Sequence, residues 1–164
     1  KPIVAAINGH AMGLGLVHAL FCDFRIASEE AKMSALFARR GLIAEHGLAW
    51  ILPRLIGMEP ALDLLLTGRT VDAFEALRLG LVGRVVPGEK LMEEAYALAN
   101  ELATKSSPRS VAIIKRQAWL GLTTTLAEAV DFANREMIAS LKCADFAEAI
   151  MAFIERRPAN FTGK

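Results

Sequence analysis

The chain has 164 residues, of which 54% are hydrophobic, and its 19 Lys and Arg stand against 18 Asp and Glu for a net charge of +1. That balance argues against nucleic acid or an anionic membrane as the main partner, and the apolar share is enough for a buried core with surface left over for contacts between subunits. No uncharged apolar run of about 18 residues occurs outside the glycine-broken opening, so no membrane span is expected.

In chain order, residues 3–7 are rich in β-branched side chains and uncharged and read as a buried strand, which Asn8-Gly9 breaks. Gly13 and Gly15 then flank the start of a helix over residues 14–21. The first amides of such a helix have no partner within it and point, with the positive end of its dipole, at whatever lies over the turn. Gly9, Gly13 and Gly15 do not make the dinucleotide pattern G-x-G-x-x-G, and no Gly-Lys-Ser/Thr follows to make a phosphate loop. Two readings stay open for the turn itself: an anion hole for an oxyanion, or a tight connection with no role in chemistry.

Short strands are expected over residues 23–27 and 32–35, and helices over 47–55, with Pro53 near its end, and over 60–66, stopped by Gly68. Asp72 with Glu75 predicts a capping box for a helix reaching Leu79, closed by Gly80 before a strand over residues 81–86. Beyond Pro87-Gly88 the pattern is helical only. Leu91, Ala95, Leu98 and Leu102 mark one face, Ser107-Pro108 opens a second helix, and Thr125 with Glu128 and Asp145 with Glu148 predict two more capping boxes. The expected division is an α/β part over residues 1–87 and a helical part over 88–164. Cys22 and Cys143 have neither the number for a disulfide framework nor the spacing of a zinc site, so buried free thiols and no metal are expected.

Lys1-Pro2-Ile3-Val4-Ala5-Ala6-Ile7-Asn8-Gly9, Gly13-Leu14-Gly15 and Cys22-Asp23-Phe24-Arg25-Ile26-Ala27 together resemble the signature of the crotonase superfamily, the enoyl-CoA hydratases and isomerases. The likeness continues through Leu52-Pro53-Arg54-Leu55-Ile56-Gly57, Leu65-Leu66-Thr67-Gly68-Arg69, Gly80-Leu81-Val82 and Val85-Val86-Pro87, and ends in Phe153 to Phe161. It implies a crotonase-like spiral of β-β-α units followed by a helical oligomerisation part. It also implies that the N-terminal half of the fold, with most coenzyme A contacts and a second oxyanion amide, would precede Lys1. The implied partners are an acyl-CoA substrate, with coenzyme A as part of that substrate and no separate cofactor, and further copies of the chain in a trimer or dimer of trimers. The implied location is cytoplasmic.

Carried onto this sequence, the resemblance places an oxyanion-hole amide at Leu14, between Gly13 and Gly15. The two glutamates with which hydratases hold and activate water fall on Val17 and Phe37. Neither transfers a proton, so hydration by that route is disfavoured, and Gly13, Gly15, Val17 and Phe37 become candidate substrate-binding residues. Glu45 resembles the acidic residue of dienoyl-CoA isomerases and of a chlorobenzoyl-CoA dehalogenase and is the candidate proton carrier; the competing reading is that it only caps the following helix. His46 beside it either orients it or faces solvent, and His18 and His10 are assigned no role. Arg39-Arg40 and Arg156-Arg157 either meet coenzyme A phosphates or serve surface salt bridges. Two functions are expected in order: double-bond isomerisation of an enoyl-CoA through Glu45, and a non-catalytic acyl-CoA-binding or assembly protein of the same fold.

Overall fold

The opening apolar run becomes strand β1 (Val4–Ile7) in the computed structural model, which describes residues 1–164. A second strand, β2 (His10–Met12), follows before Gly13 turns the chain into helix α1 (Leu14–Leu20). The local pattern runs the glycine turn directly into the helix and misses β2. With a single buried residue, Ala11, its three positions are too few to alternate visibly, and pairing with β4 makes them a strand.

Strand β3 (Phe24–Ser28) lies parallel between β1 and β6 (Arg84–Val86), with Ala27 opposite Ile7 on one side and Val85 on the other. In a second sheet β4 (Lys32–Ser34) is central, parallel to β2 and antiparallel to β5 (Thr70–Asp72). The chain therefore steps β1, β2, α1 and then β3, β4, changing sheet at each strand, and this is the expected spiral of β-β-α units. Leu16 and Leu20, one turn apart on α1, are buried in the core, as are Ile26, Met33 and Leu48, each side chain contributing roughly 1.5–3 kcal/mol.

Helices α2 (Leu48–Ile56) and α3 (Met58–Thr67) follow, the second closed by Gly68 in the left-handed region. Helix α4 (Ala73–Leu79) is capped by Asp72, whose carboxylate accepts from the Glu75 amide at 2.8 Å. The predicted box is only half made, because the Glu75 carboxylate turns to Arg69, which grips it at 2.8 and 3.1 Å. The strand expected from residue 81 begins only at Arg84: the Leu81 and Val82 amides donate to the Ala76 carbonyl, finishing α4 instead of joining the sheet.

The chain divides into two compact units, Ile3–Ala97 and Leu98–Lys164 together with Lys1–Pro2. The division falls inside helix α5 (Leu91–Thr104) instead of at Pro87, and the first turns of α5, with Leu91 and Ala95 buried, belong to the α/β unit. The second unit holds α6 (Pro108–Gly121), α7 (Leu126–Ser140) and α8 (Ala144–Glu155) and no strand. Thr125 and Glu128 form the complete capping box expected of them.

Asp145 and Glu148 do not form the other. The N-cap of α8 is Cys143, and Asp145 lies buried in the first turn, where it accepts from the Ser107 hydroxyl at 2.6 Å and the amides of Thr162 and Gly163 at 2.8 and 3.0 Å. Glu148 takes Arg157 at both oxygens and the Asn160 amide at 2.7 Å. These carboxylates, i and i+3 on one face, fasten the C-terminal tail to the helix, a use that the spacing of a capping box conceals. Cys22 and Cys143 form no disulfide, and both are half-buried instead of buried; Cys22 Sγ donates to the His18 carbonyl at 3.3 Å.

Candidate active site

Gly13 adopts φ 53° and ψ −116°, a conformation open essentially to glycine alone. Its amide donates to the Ser34 carbonyl at 2.8 Å and so fastens the turn to the end of β4. The first helical bond of α1 runs from the Val17 amide to the Gly13 carbonyl at 3.1 Å. The Leu14 amide, at the first position of the helix, makes no hydrogen bond within the chain, and Leu14 is 43% exposed. Gly15 is not required by crowding, since a side chain there would meet nothing within 4 Å.

Val17 and Phe37 are both buried, at 1% and 8% exposure. Phe37 follows β4 and precedes a 3₁₀ turn (Ala38–Arg40); its carbonyl accepts from the amides of Arg40 and Leu42 at 2.9 and 3.0 Å. The tip of its ring, Cζ, lies 3.9 Å from where a Cβ on Gly13 would stand. The structure thus brings Gly13 and Phe37 together and walls the glycine turn with an aromatic ring.

Glu45 opens a reverse turn, with the Leu48 amide donating to the Glu45 carbonyl at 3.0 Å. The two central residues, His46 at φ 52° and Gly47 at φ 80°, are both left-handed, the signs that define a type I′ turn. Helix α2 starts from Gly47 and has no acidic residue in its first turn, so Glu45 stands just ahead of the helix. The Glu45 carboxylate is 40% exposed, with Nε2 of His46 3.9 Å from one of its oxygens. A Cβ on Gly47 would stand 3.3 Å from Cζ of Phe21, which is the C-cap of α1. One helix therefore carries Leu14 at its start and, at its end, the ring on which the Glu45 turn sits. Sequence reasoning places Glu45 and Leu14 separately and misses this link through Phe21 and Gly47. Its local signal was the left-handed demand of a glycine just before a helix.

The remaining candidates are committed elsewhere or face solvent. His10 and His18 are exposed. Arg39 lies over Gly68 and donates from Nε to the Thr67 carbonyl at 2.6 Å, at the negative end of α3. Arg157 is held by Glu148 and Glu155. A cleft of about 220 Å³ between α6 and α7, lined by Ile113, Ile114, Ala133 and Met137, contains none of the predicted site residues. No group of three or more His, Cys, Asp or Glu is placed to hold a metal ion, and no helix is long and apolar enough to cross a membrane.

The sequence model of the enoyl-CoA hydratase/isomerase family matches residues 1–164. A probable enoyl-CoA hydratase, EchA12, of Mycobacterium tuberculosis is 42% identical over 165 residues, covering 99% of this chain and 58% of that protein. The 1,2-epoxyphenylacetyl-CoA isomerase of Escherichia coli is 35% identical over 164 residues, covering 100% of this chain and 62% of that protein. Among solved structures, a probable enoyl-CoA hydratase/isomerase from Mycobacterium abscessus superposes with a TM-score of 0.96 at 35% identity, over 100% of this chain and 65% of that one. The chain spans about three fifths of the length of the curated relatives it matches.

Proposed function

The chain belongs to the enoyl-CoA hydratase/isomerase family, within the crotonase superfamily, and on that premise we propose that it moves a double bond in an acyl-CoA thioester with Glu45 as the proton carrier. The Glu45 carboxylate takes a proton from one carbon of the acyl chain, and the electron pair left behind delocalises onto the thioester oxygen. The Leu14 amide donates to that oxygen and stabilises the enolate. Glu45 then returns the proton to a different carbon, so the double bond moves and no atom is gained or lost. Gly13 and Gly15 keep the backbone open to the thioester, while Val17 and Phe37 line the acyl site.

The observation that carries this reading is the contrast between Glu45, whose carboxylate is half-open, and Val17 and Phe37, whose buried side chains carry no polar atom. A water needs two to four polar partners to be held in such a site, and these two side chains offer none. Helix α1 also puts roughly 10 Å between Leu14 and the ring under the Glu45 turn. A carboxylate on the far side of that span would meet the acyl chain beyond the thioester carbonyl, where a shifting double bond is protonated. Glu45→Gln tests it: isomerisation of enoyl- and dienoyl-CoA esters should fall by about 10²- to 10⁴-fold, and unchanged turnover removes Glu45 from the mechanism.

The burial of Val17 and Phe37 also favours a second reading, an acyl-CoA-binding or assembly protein without chemistry. Calorimetric binding of acyl-CoA with no turnover across the same ester panel selects it. In either case coenzyme A enters as part of the ligand, no separate cofactor or nucleic acid takes part, and the protein works in the cytoplasm.

The proposed assembly is a trimer or dimer of trimers. The helical unit buries only Ser107, Asp145 and Ala152, yet leaves Leu126 and Phe153 more than four-fifths exposed, an apolar surface suited to further copies. Light scattering should find that assembly, and a stable monomer would contradict it.

A further inference from the structure

We propose that His46 is a positioning residue for Glu45, holding its carboxylate in the orientation that proton transfer needs; this rests on the reading of Glu45 as the proton carrier. In an extended chain neighbouring side chains point to opposite sides, which would carry an imidazole away from the preceding carboxylate. Here the backbone at His46 is left-handed, φ 52°, and the next residue is left-handed too. The turn folds the imidazole back until Nε2 stands 3.9 Å from the Glu45 carboxylate. That separation is an ion-pair distance and longer than a hydrogen bond.

Two features make the arrangement more than a chance of the surface. A non-glycine residue at positive φ is uncommon and costs conformational energy, and at position 46 glycine would remove that cost at once. The turn is also pinned at both ends. The Glu45 carbonyl accepts from the Leu48 amide at 3.0 Å, and Gly47 abuts the Phe21 ring. With the backbone fixed, what remains free at Glu45 is the rotation of its side chain, and His46 is the group that stands against it. Glu45 is the sole carboxylate between β4 and α2, so no other acid competes for the imidazole on this loop.

Three variants of the intact protein decide the matter, each assayed for kcat and KM with an enoyl-CoA isomerisation substrate and checked by thermal melting. His46→Gly keeps the left-handed turn and deletes the imidazole; kcat should fall roughly threefold to tenfold with KM little changed and the melting temperature equal or higher. His46→Asn, which tolerates the same backbone and restores a short donor, should recover part of the lost kcat. Glu45→Gln should lower turnover by about 10²- to 10⁴-fold, and in the double variant with His46→Gly no further loss should appear. A His46→Gly protein with unaltered kcat, where Glu45→Gln shows that loss, overturns the role of His46 and leaves that of Glu45 intact. Turnover that survives Glu45→Gln overturns the reading of Glu45 itself, and with it this one.

Discussion

Phe21 and Gly47 meet so closely that a side chain on residue 47 would press on the ring. A Cβ on residue 47 would come within 3.3 Å of the ring tip, and the backbone there is at φ 80°. Phe21 caps the end of α1, whose first residue is Leu14, so this contact links the glycine turn at the start of α1 to the turn bearing Glu45 through a single helix.

Gly47→Ala should therefore damage both stability and turnover. The left-handed backbone costs about 1–2 kcal/mol for an alanine, and the ring contact adds to it. Reorientation of Glu45 should lower kcat by at least about tenfold. Adding Phe21→Leu should relieve the crowding part of the loss and leave the backbone part. Denaturant melts of the single and double variants separate the two, and a Gly47→Ala protein as stable and active as the parent shows the contact to be irrelevant.

At Gly13 the cost should be conformational alone. An added Cβ would touch only Phe37 Cζ at an ordinary 3.9 Å, whereas φ 53° with ψ −116° is barred to alanine. Gly13→Ala is expected to lose about 1–3 kcal/mol, together with activity, because the Leu14 amide follows the turn. Phe37→Leu beside it should restore neither stability nor activity; recovery of either would mean that crowding is the cause.

Crotonyl-CoA hydration by the unmodified protein should be very slow relative to isomerisation, since Val17 and Phe37 give water no holding groups. Val17→Glu with Phe37→Glu supplies the missing carboxylates, but at sites 1% and 8% exposed it should cost several kcal/mol in stability. Circular dichroism shows whether the variant folds, and only a folded one is informative about hydration. Efficient hydration by the parent protein would falsify the dry-site reading.

Acid should release the C-terminal tail before it unfolds the helices. The Ser107 hydroxyl, with the Thr162 and Gly163 amides, holds the Asp145 carboxyl below its usual range against the opposing effect of burial. Arg157, with the Asn160 amide, brings Glu148 from 4.5 down to about 2. Both groups bind protons less readily in the folded state, so their stabilisation is complete above their ordinary values and is lost as pH falls, for Glu148 between about 4.5 and about 2. The amide resonances of Asn160, Thr162 and Gly163 should shift together across that window; signals that stay flat down to pH 2 would show that the two carboxylates do not hold the tail.

Ser28→Ala should leave stability unchanged or raise it by up to about 1 kcal/mol. The Ser28 hydroxyl oxygen is buried without a hydrogen-bond partner, and removing it ends that desolvation cost. A loss of more than about 1 kcal/mol in a denaturant melt would point to a partner the hydroxyl has in solution.

The sequence by itself determined whatever rests on a few adjacent residues. Apolar spacing marked β1, β3, β4 and the helices, Gly68 and Gly80 ended α3 and α4 where left-handed residues were needed, and Thr125 reached Glu128 within one turn of its own helix. The absence of an acid at Val17 and Phe37 was equally plain, because side-chain chemistry does not depend on folding. Tertiary structure decided everything that depends on a distant partner. Strands β2 and β5, three residues each, exist through pairing with β4. Asp145 and Glu75 left their local boxes for Ser107 and Arg69, and the turn after Glu45 is closed by the Glu45 backbone carbonyl with Gly47 against the distant Phe21 ring. A side chain that has both a near and a far partner takes the one that folding brings closest, and sequence spacing describes only the near one.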